Sequence, residues 1–189
     1  FEVALPQPYL EILLNGQEPS GSDTLLLTGA VDATETVDIE PDGAGGTQPD
    51  IDVDYNSNGI NDLDFDLTGI ELVDYEAVGD DDVLIVSPGD GDHVVRVDSA
   101  PQDDNTDRVI SDALPEVQYQ NLGTLRVDPT GDGEDIVTFV TRSLEGAVNY
   151  ETDLGDRDTL VIEGSNSQDD DFSVAPGPVA TSFLTVTDN

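Results

Sequence analysis

The predicted fold is decided by the sequence Asp158-Thr159-Leu160-Val161-Ile162-Glu163-Gly164, which an acidic loop joins to Asp171-Phe172-Ser173-Val174-Ala175-Pro176-Gly177. Apolar and polar residues alternate in both halves, which indicates two short β-strands. A Pro-Gly pair closes the second half, as is typical of a turn. The same phrase occurs three more times in the chain, and such self-similarity predicts a repeat architecture.

The four copies share nearly one spacing between the first apolar residues of their two strands. This spacing is 12 residues for Leu25 to Val37, Leu125 to Val137 and Leu160 to Phe172, and 11 residues for Leu84 to Val95. A further short strand precedes three of the copies, at Val73-Asp74-Tyr75, Val117-Gln118-Tyr119 and Val148-Asn149-Tyr150. Three strands per unit predict an all-β, right-handed parallel β-helix (solenoid) of about four irregular coils. A β-sandwich whose hairpins resemble one another is the alternative.

The repeats predict one central domain between two terminal strands. We expect an N-terminal strand or cap at residues 1–18, a repeat β domain at 19–177 and a C-terminal strand at 178–189. Within the repeat domain we expect a calcium loop at 50–66 and an insertion at 99–113. The chain starts at Phe1 and contains no Met, so we expect a processed product or a segment of a longer chain.

The charge of the chain limits its partners. There are 43 acidic residues against five basic ones, all Arg, which gives a formal net charge of -38. Such a surface repels itself unless high salt or bound divalent cations neutralise it. Nucleic acid and anionic membrane surfaces are excluded as direct partners because there is no basic patch. No apolar run approaches the roughly 18 residues of a membrane span, so membrane insertion is not expected.

The residues needed for a nucleophilic triad are missing. The chain has one His, His93, and no Cys, and it lacks a Gly-x-Ser-x-Gly sequence, so we predict no nucleophilic triad and no enzyme activity. Without Cys there are no disulfides and no thiolate metal sites. Among extracellular proteins, this absence favours a bacterial or archaeal surface protein.

One acidic loop predicts a Ca²⁺ site. It is Asp54-Tyr55-Asn56-Ser57-Asn58-Gly59-Ile60-Asn61-Asp62, with side-chain oxygens at Asp54, Asn56, Asn58 and Asp62 and the carbonyl of Ile60 between them. Ca²⁺ takes six to eight oxygen ligands, and Gly59 permits the sharp turn that would wrap them around one ion.

This loop resembles the calcium loops of thrombospondin type 3 repeats and their bacterial relatives, which run D-x-D-x-N-G-x-x-D. Asn56 stands where that pattern has Asp. The resemblance implies bound Ca²⁺. An EF-hand is rejected because Phe65 occupies the position of its bidentate Glu and no helices are predicted on either side.

Two turns between paired strands are further candidates. They are Asp90-Gly91-Asp92 and Asp132-Gly133-Glu134-Asp135, with Asp90, Asp92, Asp132 and Glu134 as possible ligands. Their chemistry resembles the glycine-aspartate turns of calcium-binding RTX β-rolls, although the strict nine-residue repeat is absent. Solvated Asp-Gly turns are the alternative interpretation. The repeated phrase itself, over residues 20–177, resembles repeats of large bacterial surface proteins, which implies an extracellular location.

These observations together predict a calcium-stabilised structural module of an extracellular surface layer, adhesin or filament protein. Its partners would be further copies of itself or neighbouring modules of the same surface protein. One alternative is a non-catalytic carbohydrate-binding module of a larger secreted enzyme, which would bind glycans but would lack the usual Trp platform. Another is a halophilic domain whose acidic residues serve hydration alone.

Overall fold

A computed structural model describes residues 1–16, 23–31, 33–41, 48–79, 81–101, 106–129, 133–140, 144, 148–154, 157–164, 172–176 and 183–188. The described residues form strands, turns and bends and no helix, which confirms the predicted all-β class. None of the described segments is therefore a helix of the length and apolar character that crossing a membrane requires.

The described residues form seventeen strands, most of them four to six residues long. They are β1 (Glu2–Ala4), β2 (Glu11–Asn15), β3 (Thr24–Thr28), β4 (Thr36–Pro41), β5 (Pro49–Asp54), β6 (Leu63–Thr68), β7 (Leu72–Glu76), β8 (Val83–Val86), β9 (Val94–Ser99), β10 (Asp107–Ser111), β11 (Glu116–Gln120), β12 (Thr124–Val127), β13 (Ile136–Phe139), β14 (Asn149–Asp153), β15 (Thr159–Ile162), β16 (Phe172–Pro176) and β17 (Phe183–Asp188).

The strands are arranged in two mixed sheets. Sheet A has eight strands in the order β1-β3-β7-β11-β10-β9-β13-β15. Sheet B has nine strands in the order β16-β17-β14-β12-β8-β4-β5-β6-β2. The chain passes from sheet A to sheet B at β3 to β4, at β7 to β8 and at β11 to β12. Strands that are far apart in sequence therefore become neighbours within each sheet.

Alternation of side chains between the two faces builds the core. In β3 the inward residues Leu25 and Leu27 are fully buried, and the residues between them are half-buried. The same alternation holds in β4, where Val37 and Ile39 point inward. The buried aliphatic and aromatic residues of both sheets belong to one cluster. The two sheets therefore pack face to face, an arrangement that a solenoid and a β-sandwich share.

The register confirms part of the predicted repeat. The second and third copies lie side by side in parallel strands, with Leu84 paired with Leu125 and Val95 paired with Val137. The strands that precede these copies also pair in register, so that Tyr75 lies beside Tyr119. Residues at equivalent positions of these two copies therefore form continuous rows through the core.

The first and last copies are out of phase with the other two. Leu25 pairs with Val73 and lies in sheet A, whereas Leu84 and Leu125 lie in sheet B. Leu160 pairs with Val137, the second strand of the preceding copy. The alignment of four equivalent copies was wrong in these two cases. The strands of both sheets have the same apolar alternation, so the pattern does not reveal which sheet a strand joins.

The sheets are mixed and not purely parallel, which differs from the predicted parallel β-helix. In sheet A, β10 runs antiparallel to both of its neighbours, and it lies within the predicted insertion at 99–113. In sheet B, β5 and β17 run antiparallel to their neighbours. The region 1–18 contains β1 and β2, and the region 178–189 contains β17.

The predicted loop at 50–66 is a hairpin. Strands β5 and β6 occupy both of its ends, and only residues 55–62 form the turn. The physical reason is that Ile51, Val53, Leu63 and Phe65 are all buried, and burying them on one face requires extended strands.

Candidate metal centre

The β5–β6 hairpin brings carboxylates together on its outer face. Burial of Ile51 and Val53 in β5 turns Asp50 and Asp52 outward, and β6 turns Asp64 and Asp66 outward in the same way. The antiparallel register pairs Asp50 with Asp66 and Asp52 with Asp64. On the other side, β4 places Asp38 beside Asp52 and Glu40 beside Asp50. We call this set the acidic ladder: Asp38, Glu40, Asp50, Asp52, Asp64 and Asp66.

Like charges that face each other across strands destabilise a sheet. The ladder contains such pairs in two successive rows of β4, β5 and β6, and the described structure places no Arg side chain in an ion pair with any of its six members. Some compensation is therefore required when all six groups are ionised. A bound cation or a retained proton would supply it.

Three members of the ladder converge. Among the residues that the structure describes, Asp50, Asp64 and Asp66 are the one group of three or more His, Asp or Glu residues whose candidate ligand atoms all lie within 4.8 Å of one another. Within the described part of the chain, the Oδ1 atoms of Asp50 and Asp64 are buried and accept no hydrogen bond. A buried carboxylate oxygen without a partner is costly, and a cation that it ligates would remove that cost.

Burial and the close approach of these carboxyl groups raise the pKa values of several members of the acidic ladder. Burial, followed by the neighbouring carboxyl of Asp64, raises the pKa of Asp50 to about 7. Burial and the charges of Glu40, Asp128 and Asp52 raise the pKa of Asp38 to about 7. Burial and the charge of Asp64 also raise the pKa of Asp52. Near neutral pH the ladder thus holds protons that a divalent cation can displace.

The donor set fits a hard cation. Three carboxylates offer only oxygen ligands, which Ca²⁺ and Mg²⁺ prefer, and no sulfur or nitrogen ligand that would favour a transition metal. Beside this group the outer face of β4 and β5 forms a shallow pocket of about 220 Å³. Its lining residues are Thr36, Asp38, Asp52, Asp54, Ser57, Gly59 and Asn61.

The predicted loop at 54–62 forms the turn of this hairpin. Its two carboxylates, those of Asp54 and Asp62, accept hydrogen bonds from backbone N–H groups. Asp54 is buried, and its carboxylate accepts hydrogen bonds from the backbone N–H of Asn56 (3.1 Å) and of Gly59 (2.6 Å). Burial alone would raise the pKa of Asp54, but hydrogen bonds from backbone amides outweigh it, so the pKa is lowered. Asp62 Oδ2 accepts a hydrogen bond from the N–H of Tyr55 at 3.1 Å.

The remaining predicted ligands of the loop face solvent. Asn58 Oδ1 accepts a hydrogen bond from the backbone N–H of Ile60 at 2.9 Å, and the Ile60 side chain is exposed. Asn56 is exposed as well. Gly59 has a φ of +80°, so the expected left-handed turn is present. These hydrogen bonds shape the turn without a metal, and calcium binding by this loop stays a prediction.

The two other predicted turns lie side by side. Glu134 donates its backbone N–H to Asp92 Oδ1 at 2.9 Å, and the backbones of Gly91 and Gly133 are in close contact. The two turns therefore stack on each other, and calcium binding by them stays a prediction. Asp90, Asp92 and Glu134 are exposed, and Asp132 lies outside the described residues. His93, beside this turn, is bound to Asp112 through Nδ1 at 3.1 Å.

Sequence analysis missed Asp50, Asp64 and Asp66. The signal was present as two mirrored alternations, Asp50-Ile51-Asp52-Val53-Asp54 and Asp62-Leu63-Asp64-Phe65-Asp66, which frame a turn that contains Gly59. Interpreted as strands, they predict a hairpin with carboxylates on one face. Interpreted as a loop, they led to a prediction of metal ligands in the turn at 54–62 and not on the strands.

Three comparisons were made with known proteins. No family model, no curated protein and no solved structure matches the chain.

Proposed function

We propose that the chain is a calcium-stabilised structural module of an extracellular surface layer, adhesin or filament protein. The observation that carries the proposal is the convergence of Asp50, Asp64 and Asp66, with two buried carboxylate oxygens that lack partners. A module of this kind needs a rigid surface and no reacting group. In the absence of cations, its acidic ladder would oppose folding of the β5–β6 hairpin.

We further propose that the two sheets are opposite faces of a right-handed solenoid. Passage of the chain between sheets, together with in-register parallel pairs, supports this over independent hairpins. The antiparallel strands β5 and β10 are then insertions into otherwise parallel faces. A β-sandwich remains compatible with the same two packed sheets.

The test of the proposal is the response of thermal unfolding to calcium. At pH 8 and constant ionic strength, Ca²⁺ at about one hundred times its Kd is expected to raise the free energy of unfolding by about 2.7 kcal/mol over the value in chelator. Asp64→Asn is expected to abolish this increase. In chelator the same variant is expected to be at least as stable as the wild type, because one opposed charge is gone.

The matched control is Asp74→Asn. Asp74 is also a half-buried acidic residue within a strand, but the residues paired with it are Leu26 and Gln118, which carry no charge. This variant is expected to keep the full calcium response. Equal stabilisation by KCl and by CaCl₂ would support the halophilic alternative and would refute specific calcium binding.

Glycan binding is the second candidate function. The pocket lined by Asp38, Asp52 and Asn61 presents polar groups suited to hydroxyls, and this observation supports the candidate. Its lining includes no aromatic side chain on which a sugar ring could stack. A glycan array in the presence of Ca²⁺ is the measurement, and binding that Asp38→Ala abolishes would favour this function.

A further inference from the structure

We infer that copies of this chain associate head to tail, with the β15 and β16 end of one copy adding to the β1 and β2 end of the next. The inference deepens the proposed function, and it rests on that function for the expectation that the chain belongs to an assembly. It names the surfaces that would join and the occupant, a second copy of the same chain.

The directions of the edge strands permit this addition. In sheet A, β1, β3, β7 and β11 run parallel, and the single reversal at β10 restores the same direction in β9, β13 and β15. The two edge strands of the sheet, β1 and β15, therefore run the same way. A copy displaced along the sheet would place its β15 beside β1 as a further parallel strand.

Sheet B has the same property. The reversal at β5 lies between β6 and β4, and the reversal at β17 lies between β14 and β16. Its edge strands β2 and β16 therefore also share one direction. Strand direction therefore permits the addition in both sheets. Because sheet A has eight strands and sheet B nine, the second copy must be rotated as well as displaced to extend both at once.

Among the described residues, the core is incompletely covered at both ends. Val3, Ile12 and Leu14 at one end and Leu160 and Ile162 at the other pack against the core cluster but are only half-buried. Each continues a buried row, as Val3 does beside Leu27 and Leu160 does beside Val137. Repeat arrays need polar terminal units to stay soluble as single copies. Here the rows end in aliphatic residues, which a second copy would cover.

The β2 edge also carries exposed apolar residues. Tyr9, Leu10 and Leu13 are 61%, 82% and 70% exposed. Natural edge strands are commonly protected by Lys and other charged residues, or by Pro, which lacks a backbone N–H, and these prevent pairing with another chain. Within β2 only Glu11 is charged, and no described strand pairs with its outer side.

The distribution of charge favours head-to-tail pairing over a two-fold dimer. All five Arg residues lie at position 96 or beyond, so residues 1–95 carry 23 acidic residues and no Lys or Arg. Pairing β2 with β2 of another copy would bring together two ends without cationic residues. Head-to-tail pairing instead brings the β1 and β2 end toward the end that contains Arg157, whose side chain is 57% exposed and forms an ion pair with Glu134 at 3.4 Å.

Leu13 provides the test variant. Leu10 and Gly16 hydrogen-bond to β6, so by the alternation of a parallel ladder the N–H of Leu13 faces the free edge. Leu13→Pro therefore removes an outward donor without removing a bond to β6. Leu13→Ser keeps the N–H and removes only the apolar side chain. Val31→Ser is the control, since Val31 is 73% exposed and lies in the turn after β3, outside the strands β1 and β2 that would join the next copy.

The experiment is sedimentation velocity with light scattering, in CaCl₂, over a range of concentrations. The wild type and Val31→Ser are expected to grow beyond dimers as concentration rises, Leu13→Ser to grow less, and Leu13→Pro to stay monomeric. Leu13→Pro keeps its β15 end, so mixing it in equal amount with the wild type should lower the number-average size to at most about two copies, because only half of the β2 ends can accept a partner.

Three results separate the possibilities. A monomeric wild type whose melting still responds to calcium would overturn the head-to-tail inference and leave the proposed function standing. A wild type that stops at a dimer would also overturn it: loss of that dimer in Leu13→Pro would indicate two-fold pairing at β2, and its persistence would indicate pairing through another surface. Assemblies that form without any calcium response would support the inference and refute the calcium-stabilised module. Cooperative thermal unfolding of Leu13→Pro shows whether that variant is folded, whether or not calcium affects it.

Discussion

Glu35 is a single buried acid that holds two turns together. It is fully buried, and its carboxylate accepts hydrogen bonds from the Tyr75 hydroxyl at 2.7 Å and from the N–H of Ala30 at 3.1 Å. Its own N–H donates to Asp82 Oδ1, and Asp82 also accepts from Gly79 at 2.8 Å. The pKa of Glu35 is raised, chiefly by burial. The hydrogen bonds from Tyr75 and Ala30 lower this pKa, and the charge of Asp82 raises it further.

Removing the Tyr75 hydroxyl should destabilise the protein. Tyr75→Phe leaves a buried carboxylate oxygen without one of its donors, which costs about 1–3 kcal/mol. Tyr119→Phe is the matched control, because Tyr119 lies beside Tyr75 in the same row of the core. Its hydroxyl is buried near Tyr150 and Asp107 and makes no hydrogen bond with any described residue.

Denaturant unfolding in the presence of Ca²⁺ measures both variants. Tyr119→Phe is expected to change the free energy of unfolding by less than about 0.5 kcal/mol or to stabilise the protein, because no good hydrogen bond is lost. Equal losses for the two variants would contradict the role given to the Tyr75–Glu35 bond.

Sequence alone could not single out Glu35 among 43 acidic residues. Its hydroxyl partner is 40 positions away, and the two meet only because β7 and the turn before β4 converge. The alternation of apolar residues, by contrast, is local, so the sequence could predict that Val37 and Ile39 are buried. Residue-scale polar contacts across the fold depend on a register that no short pattern encodes.

At the scale of strands, the repeat predicted some pairings and missed others. Leu84 and Leu125 are paired as predicted, because their copies occupy equivalent places in consecutive passages of the chain. Leu25 was assigned to the wrong phase because strands of either sheet alternate with the same period of two residues. The Asp residues of β5 and β6 were interpreted as loop because Asp is rare in strands. The structure shows that burial of the intervening Ile51, Val53 and Phe65 outweighs that preference.

Two glycines with the same backbone handedness test how β2 is attached to β6. Gly69 has a φ of +67°, and a Cβ there would lie 2.7 Å from the carbonyl oxygen of Gly16, just beyond the end of β2. Gly59 has a φ of +80°, and a Cβ there would meet nothing within 4 Å. Both Gly→Ala changes carry the strain of a left-handed residue, but only Gly69→Ala also causes a clash.

We expect Gly59→Ala to cost about 1–2 kcal/mol of folding free energy, from backbone strain alone. Gly69→Ala is expected to cost about 1–3 kcal/mol more, the usual range for overpacking. Hydrogen exchange of the β2 amides should rise selectively in Gly69→Ala, because the clash falls where β2 ends. Equal stability of the two variants would refute the close approach of Gly16 and Gly69.

For the whole molecule, the raised pKa values make stability depend on pH in a direction opposite to that of common salt-bridged proteins. Asp38 and Asp50 have a pKa of about 7 in the folded state against 3.8 in the unfolded chain. Between these values the folded state binds more protons than the unfolded state, so stability falls as pH rises from about 4 to about 7. Asp98, between Arg96 and Arg108, has a lowered pKa and favours folding above its unfolded value. Its contribution is lost only in stronger acid.

In chelator the melting temperature should therefore be higher at pH 5 than at pH 8. After allowance for solvent screening, the difference is expected to be about 1–2 kcal/mol, or roughly 2–8 °C for a domain of this size. Because Ca²⁺ and protons compete for the same carboxylates, saturating calcium should raise the melting temperature more at pH 8 than at pH 5 and so reduce the difference.

Asp38→Asn, which removes one high-pKa group outside the Asp50, Asp64 and Asp66 set, should reduce the pH effect in chelator while preserving the calcium response. A melting temperature that increases from pH 5 to pH 8 in chelator would mean that the acidic ladder does not hold its protons in the folded state.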